Sequence, residues 1–245
     1  MRFWKRQKQA SSDDKPPTSG DDGPRGIDRA SDVLQATASL GDGTPLGFDW
    51  HLDGDMVTMQ LVPSAVHRGV LHRGGWWARI EAGTLTPLGL GSPNTSVTLQ
   101  PYLARISEGD LVAWERRQGV SIPGGAAEYR RLLLGSNGGV PSAPGLVVPA
   151  RPGVPPSTTI VRLFYGVGEA EHTSIDWALD LYGQRMPAGR LPIADDHCGN
   201  MVVLRASGGQ AGEVLFWDHE QEESADGPLF PLAPSFSAFM RALRE

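Results

Sequence analysis

The pattern of the sequence changes at about residue 104, and this change sets the class of fold. Residues 33–103 contain short strand-like segments separated by turns, such as the alternating β-branched and apolar side chains of residues 56–62. From residue 104 onward, helices with recognisable caps alternate with apolar strands. We therefore expect an α+β fold, with a central sheet and packed helices in residues 104–245 (the C-terminal region) and a small β-rich region before it.

Capping residues place the helices of the C-terminal region. Ser107 is followed three residues later by Asp110, which predicts a helix start, and Gly119 predicts its end. Ser235 precedes an apolar stripe over residues 236–243 with the spacing of one helix face. The remaining predicted elements are helices near 126–134 and 174–183, a buried strand at 160–165, and a hairpin formed by 201–204 and 213–217.

The first 103 residues contain weaker signals. Residues 1–32 are rich in polar residues, proline and glycine, and are predicted to be a disordered tail. Residues 75–81 and 96–99 are predicted to be strands, like residues 56–62. Because neighbours in a strand face opposite sides, one of Trp76 and Trp77 is expected in the core. The role of the β-rich region stays open.

Charge and composition exclude several classes of function. The chain has 22 basic and 28 acidic residues and a net charge of -6, which argues against nucleic acid as a partner and favours a basic protein. Cys198 is the single cysteine, so an intrachain disulfide is ruled out and a reducing compartment is expected. The longest uncharged stretch, residues 132–150, is interrupted by glycine and proline and does not read as a membrane helix. We expect a cytoplasmic protein without a membrane partner.

Five blocks of the C-terminal region, in order, resemble the SUKH superfamily of bacterial toxin-immunity proteins and fungal cell-wall assembly regulators. The blocks are Trp114-Glu115 to Asn137-Gly138-Gly139, then 163–167, 190–204, 214–220 and 235–243. The resemblance implies an α+β fold, a toxin-binding role and no catalytic residues. The proline- and glycine-rich run that follows Gly139 departs from the expected pattern. Residues 33–103 match nothing familiar.

The densest group of reactive side chains is Asp195-Asp196-His197-Cys198. Carboxylate, imidazole and thiol groups can bind a metal or act as a nucleophile with an acid and a base. Adjacent side chains usually point apart, however, and no second metal-binding motif accompanies them. We expect neither a metal nor a cofactor, and interpret the carboxylates as caps of backbone N–H groups. A second metal site near His51 and His67 is open, although solvated turns explain the same residues.

The hairpin predicts where a partner binds. Its strands bury alternate side chains, so the polar residues that flank them are expected to gather at one edge of the sheet. There they form an acidic surface that attracts a basic toxin, with one aromatic anchor. The predicted partner-binding residues are Asp195, Asp196, Trp217, Asp218, Glu220, Glu222 and Glu223.

These observations favour a non-catalytic binding module, and specifically an immunity protein that neutralises a cognate protein toxin. Two alternatives stay open. One is a hydrolase or metal-dependent enzyme that uses the Asp/His/Cys group, which would require those side chains to converge in a pocket. The other is a regulatory scaffold without a toxin partner.

Overall fold

The structure, a computed structural model, describes residues 2–5, 25–41, 43–68, 74–88, 92, 96–151, 153–221 and 228–244. Helices and strands are both abundant in these ranges, so the fold is α+β as predicted. Within the same ranges, none of the helices combines the length and the apolar composition that crossing a bilayer requires.

The elements of the described ranges are short, and most are joined by tight turns. The helices are α1 (Arg29–Ala38), α2 (Ser64–His67), α3 (Gly75–Glu81), α4 (Glu108–Gln118), α5 (Ala127–Ser136), α6 (Ile175–Tyr182) and α7 (Phe236–Ala242). Single 3-10 turns span Gly124–Ala126 and His219–Gln221. The strands are β1 (Arg2–Lys5), β2 (Arg25–Asp28), β3 (Phe48–Leu52), β4 (Thr58–Pro63), β5 (Thr86–Pro87), β6 (Leu99–Gln100), β7 (Val140–Pro141), β8 (Gly145–Val148), β9 (Ser157–Phe164), β10 (Arg190–Asp196), β11 (Met201–Arg205), β12 (Val214–Trp217) and β13 (Leu229–Ala233).

The predicted caps of the C-terminal helices are confirmed. The Ser107 hydroxyl accepts a hydrogen bond from the Asp110 N–H, and the Asp110 carboxylate accepts one from the Ser107 N–H at 2.9 Å. Gly119 ends α4 in the left-handed conformation, with φ of 63°. Ser174 and Ser235 cap α6 and α7 through their hydroxyls. These local signals therefore fix where three helices of the C-terminal region begin.

An eight-stranded sheet forms the centre of the molecule. Its strands run in the order β13-β12-β11-β10-β9-β2-β5, and β8 pairs with the other edge of β9. The predicted hairpin is confirmed as β11 and β12. The register expected from the sequence sets Asp218 roughly opposite Met201, whereas the structure pairs Met201 with Trp217. Two smaller sheets have the orders β1-β4-β3 and β6-β7.

The sheet includes a strand from the segment that was expected to be disordered. In β2, Ile27 pairs in parallel with Ser157 of β9, and Asp28 then caps α1 by accepting from the Ser31 N–H. Both Ile27 and Ala30 are buried. The expectation of disorder is therefore wrong for residues 2–5, which form β1 and pair with β4, and for residues 25–32, whose apolar side chains complete a core. Residues 6–24 lie outside the described residues.

Two hydrophobic cores hold the described residues together. The larger core lies between the central sheet and α4 to α7, and contains Trp114, Tyr129 and Phe236. The smaller core is built mainly from α1, β3, β4 and α3, but it also contains Cys198 of the C-terminal region. The β-rich region and the C-terminal region thus share a core at their contact.

Residues 75–81, which were predicted to be a strand, form α3 instead. Trp76 is fully buried and its indole N–H donates to Asp32, whereas Trp77 is half-buried and donates to Glu81 one helical turn later. A buried tryptophan bonded to α1 outweighs the strand preference of this short segment. One tryptophan is in the core, as expected. The reason is the packing of a helix, and not the alternation of side chains along a strand.

Elsewhere the strand predictions hold in part. The alternating segment 56–62 is confirmed as β4, which begins at Thr58. Of the predicted strand 96–99, Leu99 alone enters a strand, β6. The uncharged stretch 132–150 divides into the end of α5 and the short strands β7 and β8, as its glycines and prolines indicated.

Candidate functional site

The predicted acidic surface is largely inside the protein. Asp195, Asp196, Asp218 and Glu220 are 0%, 1%, 3% and 2% exposed, and Trp217 is fully buried. The expectation that these side chains form an exposed contact surface was therefore wrong. Glu222 and Glu223, the other two predicted contact residues, lie outside the described residues.

Arginines explain the burial of these carboxylates. Asp49, Arg68, Arg162 and Asp195 form a compact group, here called the buried ion cluster. Arg68 donates to Asp49 through Nε at 2.5 Å and to Asp195 through Nη2 at 3.0 Å. Arg162 donates to Asp195 through Nε at 3.1 Å and lies 3.3 Å from Asp49 through Nη1. Two cations and two anions alternate, so each buried charge has two partners of opposite sign.

Two tyrosine hydroxyls complete the cluster. Tyr165 donates to Asp195 Oδ2 at 2.8 Å, and Arg68 donates to the Tyr182 hydroxyl at 2.9 Å. Burial raises the pKa of Tyr165 well above its usual range, which keeps this hydroxyl a neutral donor. Burial alone would raise the pKa of Asp49, but Arg68, a hydrogen bond with His67 and Arg162 together outweigh it and hold that pKa well below its usual range. The ion pairs therefore persist across the neutral range.

Asp196 is a backbone-capping carboxylate. One of its oxygens accepts from the N–H groups of Cys198 and Asn200, both at 2.8 Å. The other accepts from the Asn200 side-chain amide at 2.8 Å and the Thr159 hydroxyl at 2.7 Å. Four donors use the lone pairs of this carboxylate, so Asp196 shapes the turn between β10 and β11. The capping role expected from the sequence is confirmed for this residue.

Asp218 and Glu220 flank one arginine of α1. Arg29 Nη2 lies 3.2 Å from Asp218 and 3.8 Å from Glu220, and all three side chains are buried. Gln221 also donates to Asp218 at 2.8 Å. Burial raises the pKa of Glu220 to about 7, a shift that Arg29 opposes and Asp218 reinforces. The negative charges that follow β12 are thus paired with Arg29, which belongs to the segment that was expected to be a disordered tail.

The Asp/His/Cys group does not converge on an open site. Cys198 is fully buried, and burial raises the pKa of its thiol well above the usual range, which disfavours the reactive thiolate. Burial lowers the pKa of His197 to about 4. Among the residues that the structure describes, no group of three or more His, Cys, Asp and Glu side chains is arranged to hold a metal ion.

Histidines from both regions of the chain meet beside the buried ion cluster. His51 Nδ1 and His67 Nε2 share a hydrogen bond at 3.1 Å, and the other nitrogen of His67 lies 3.5 Å from Asp49. The ring of His219 packs edge-on against His67, with centroids 4.9 Å apart. His219 is held in turn by Asn200, at 2.8 Å from its Nδ1. The solvated turn expected at His51 and His67 is therefore a packed contact instead.

Two cavities of the structure lie away from these groups. One, of about 260 Å³, lies beside β2 and is lined by Asp28, Met56 and Arg79, among others. The other, of about 380 Å³, is an apolar groove between β6, α5 and α7 that includes Leu99 and Met240. None of the predicted site residues lines either cavity.

Sequence reasoning missed most of the buried ion cluster. Asp49, Arg68 and Tyr182 carry no local signal, because their partners are distant in the chain. Arg162 did carry one: it is the lone charge in the apolar strand β9, and a charge buried in a sheet requires partners of opposite sign. That requirement did not identify the partners, Asp49 of β3 and Asp195 of β10.

Comparisons with known proteins identify a family and one relative. A family model described as SMI1 / KNR4 family (SUKH-1) matches residues 105–242, more than half of the chain. The chain is also similar to the SPbeta prophage-derived uncharacterized protein YokK of Bacillus subtilis (strain 168), with 35% identity over 86 residues. Those residues are 35% of this chain and 42% of YokK, so the match spans less than half of that relative. No solved structure matches significantly.

Proposed function

Since this chain belongs to the SMI1/KNR4 (SUKH-1) family, we propose that it is a non-catalytic binding protein, and specifically an immunity protein that neutralises a cognate bacterial toxin. The family includes immunity proteins. The proposal places the protein in the cytoplasm, where it would meet its toxin, and requires no cofactor.

Burial of the reactive side chains is the observation that carries the non-catalytic part of the proposal. An enzyme needs an acid, a base or a nucleophile that substrate can reach. In this chain Asp195, Asp196 and Cys198 are enclosed, and the two carboxylates are fully engaged in ion pairs or capping bonds. The same enclosure counts against the hydrolase alternative, which would use this group. A buried ion cluster instead supports a rigid scaffold, which suits binding by a preformed surface.

The contact surface lies elsewhere than at Asp195, Asp196, Trp217, Asp218 and Glu220. A basic toxin remains the expected partner because the chain carries a net charge of -6. Of the predicted acidic contacts, Glu222 and Glu223 keep this proposed role. Since binding requires no covalent step, neutralisation should depend on the amounts of the two proteins and not on time.

Co-expression tests the function directly. Immunity proteins are usually encoded beside their toxins, so the toxin-like products of the neighbouring genes should be induced in a bacterial host with and without this chain. We expect one of them to stop growth alone and this chain to restore growth. The host that lacks this chain is the control that must not recover growth. If no neighbouring product is toxic, or if toxicity persists with the folded chain present, the immunity proposal is wrong and the regulatory scaffold replaces it.

A further inference from the structure

An exposed apolar surface lies where the β-rich region meets the C-terminal region. Its members, here called the apolar patch, are Pro45, Leu46, Pro63, Ala65 and Val66. Leu46 is 43% exposed and Val66 is 57% exposed. The two chain segments that carry the patch are neighbours, because the Ser64 N–H donates to the Gly47 carbonyl at 2.7 Å. Single apolar side chains are ordinary on a protein surface, whereas a contiguous group of them typically marks a contact site.

A loop with two acidic residues borders the apolar patch. This loop, here called the acidic loop, comprises residues 168–172 and lies between β9 and α6. A Cβ atom on Gly47 would lie 2.8 Å from His172 Nε2, so the loop touches the chain directly beside Leu46. Glu169 and Glu171 of the loop are both exposed. The apolar patch therefore has a negatively charged border on the side of the C-terminal region.

The charges of the acidic loop are available to a partner. Neither Glu169 nor Glu171 forms a salt bridge with any residue that the structure describes. Arg117 of α4 approaches the start of α6, but it faces Asp176, at 3.9 Å. A positively charged partner can therefore use both carboxylates of the loop without displacing an existing ion pair.

Hydrogen bonds and ring packing hold the acidic loop in place. At its base the Gly166 N–H donates to the Thr173 carbonyl at 3.0 Å, and the Ile175 N–H donates to the Gly166 carbonyl at 2.8 Å. The ring of His172 packs edge-on against half-buried Trp177 of α6, with centroids 4.8 Å apart. The loop is thus fixed against both the β-rich region and α6. A surface that is already formed loses little conformational entropy when a partner binds.

We propose that the apolar patch and the acidic loop together form the surface that binds a basic protein. This inference rests on the proposed function and deepens it, because it names the surface that contacts the toxin. The apolar patch supplies the desolvated centre of the contact, and the carboxylates at its border attract and orient the partner. Charge selects a basic protein over a second copy of this chain, since a copy would bring the same carboxylates and the same net charge of -6.

The proposed surface gives the β-rich region a role. The family model matches residues 105–242, so the acidic loop belongs to the matched part of the chain and the apolar patch does not. A partner that occupies the whole surface contacts both parts. The β-rich region then contributes to the choice of partner, and not only to the stability of the fold.

Val66→Asp tests the apolar patch in the full chain. The probe is the purified toxin-like product of a neighbouring gene whose toxicity this chain relieves in co-expression. Because the variant places a charge in the centre of the contact, we expect the dissociation constant to rise about tenfold or more. The matched control is Val57→Asp, since Val57 is 40% exposed and lies at the opposite end of the β3–β4 hairpin, beyond all five of its residue pairs. This control should bind the toxin like the parent.

Charge reversal tests the acidic loop and covers the case in which Val66→Asp does not fold. In the double variant Glu169→Lys and Glu171→Lys, the rate of association with the same toxin should fall about tenfold at low salt, and the difference from the parent should shrink at high salt. The control is the double variant Glu108→Lys and Glu128→Lys, which changes the net charge equally at exposed positions of α4 and α5. Its association rate should fall much less.

The results separate this inference from the proposed function. If the parent binds and inhibits the toxin while both the folded Val66→Asp variant and the loop variant bind it equally well, the surface is wrong and the proposed function stands. Equal losses in the two charge-reversal variants would show that net charge acts without this surface, which also overturns the inference. If the parent binds none of the neighbouring toxin-like products, the proposed function is wrong and this inference falls with it.

Discussion

Arg68 Nη2 donates to Asp195 Oδ2 across 3.0 Å, although 127 positions separate the two residues in the sequence. Neither side chain is exposed to solvent. This single contact joins residues 43–68 to the middle of the central sheet. The β-rich region is therefore held against the C-terminal region by buried ion pairs as well as by the smaller core, which the two regions share. Stability of the two regions should accordingly be coupled.

The first prediction concerns Arg68→Met. This change keeps much of the side-chain volume but leaves Asp49 and Asp195 short of a buried cation, which we expect to lower the free energy of unfolding by about 3–5 kcal/mol. Urea unfolding followed by tryptophan fluorescence measures the loss. Arg131→Met is the control, because its side chain is 71% exposed and its loss should change stability by less than about 1 kcal/mol. Similar losses in the two variants would show that the buried ion cluster does not stabilise the fold.

The second prediction concerns the isolated fragment 105–245. The sequence alone predicts that this fragment folds independently, because it contains a complete set of capped helices and apolar strands. The structure predicts the opposite, since the fragment lacks Arg29, which pairs with Asp218 and Glu220, and Arg68, one of the two arginines that pair with Asp195 in the intact chain. We expect a fragment without a cooperative thermal transition, whereas residues 25–245 should melt cooperatively. A sharp transition of the shorter fragment, near that of the longer one, would restore the original expectation.

Some elements of this fold could be predicted from the sequence because they depend on neighbouring residues. The starts of α4, α6 and α7 were predictable, because each depends on a serine and the next three residues. The β11–β12 hairpin was predictable to within one residue of register, since two apolar runs flank one glycine-rich turn. Structure that depends on contacts between residues close in the sequence can therefore be predicted from local motifs.

The burial of the acidic residues was not predictable in the same way. Carboxylates near the ends of strands usually lie in solvent, whereas Asp195, Asp218 and Glu220 are buried beside arginines from distant segments, Arg68 for the first and Arg29 for the other two. α3 was missed for a related reason: its place is set by Trp76 packing on α1, and the segment has no side-chain cap. Tertiary partners, and not local preference, decide these positions.

The third prediction concerns pH and Glu220. The pKa of this group is raised from its usual value near 4.3 to about 7 in the folded protein, chiefly by burial. Its stabilising contribution is therefore full in acid and is lost as pH rises through about 7. Glu220→Gln mimics the protonated acid, so the variant should exceed the parent in stability by about 2 kcal/mol at alkaline pH. This difference should shrink as pH falls below about 7 and disappear only below about pH 4, where Glu220 is protonated in the unfolded chain as well. Denaturant unfolding across the pH range measures the difference, with the exposed Glu169→Gln as control. A Glu220→Gln effect independent of pH would contradict the assignment.

The fourth prediction concerns metal. We expect prolonged treatment with a chelator to leave the melting temperature of the protein unchanged, because ion pairs and capping bonds already engage Asp195 and Asp196. Differential scanning calorimetry before and after dialysis against the chelator checks this. A bound metal would add its binding free energy to folding, so a large fall in melting temperature would identify one. Replacing the metal after dialysis would then have to restore the original value.

The fifth prediction concerns the toxin itself, and its measurement separates a binding protein from an enzyme most directly. The toxin identified by co-expression should be assayed with increasing amounts of the purified chain. A binding protein is predicted to reduce toxin activity in proportion to its amount, with complete inhibition at a fixed molar ratio and no dependence on incubation time. If trace amounts of the chain abolish toxin activity progressively with time, the chain acts catalytically and the account is wrong.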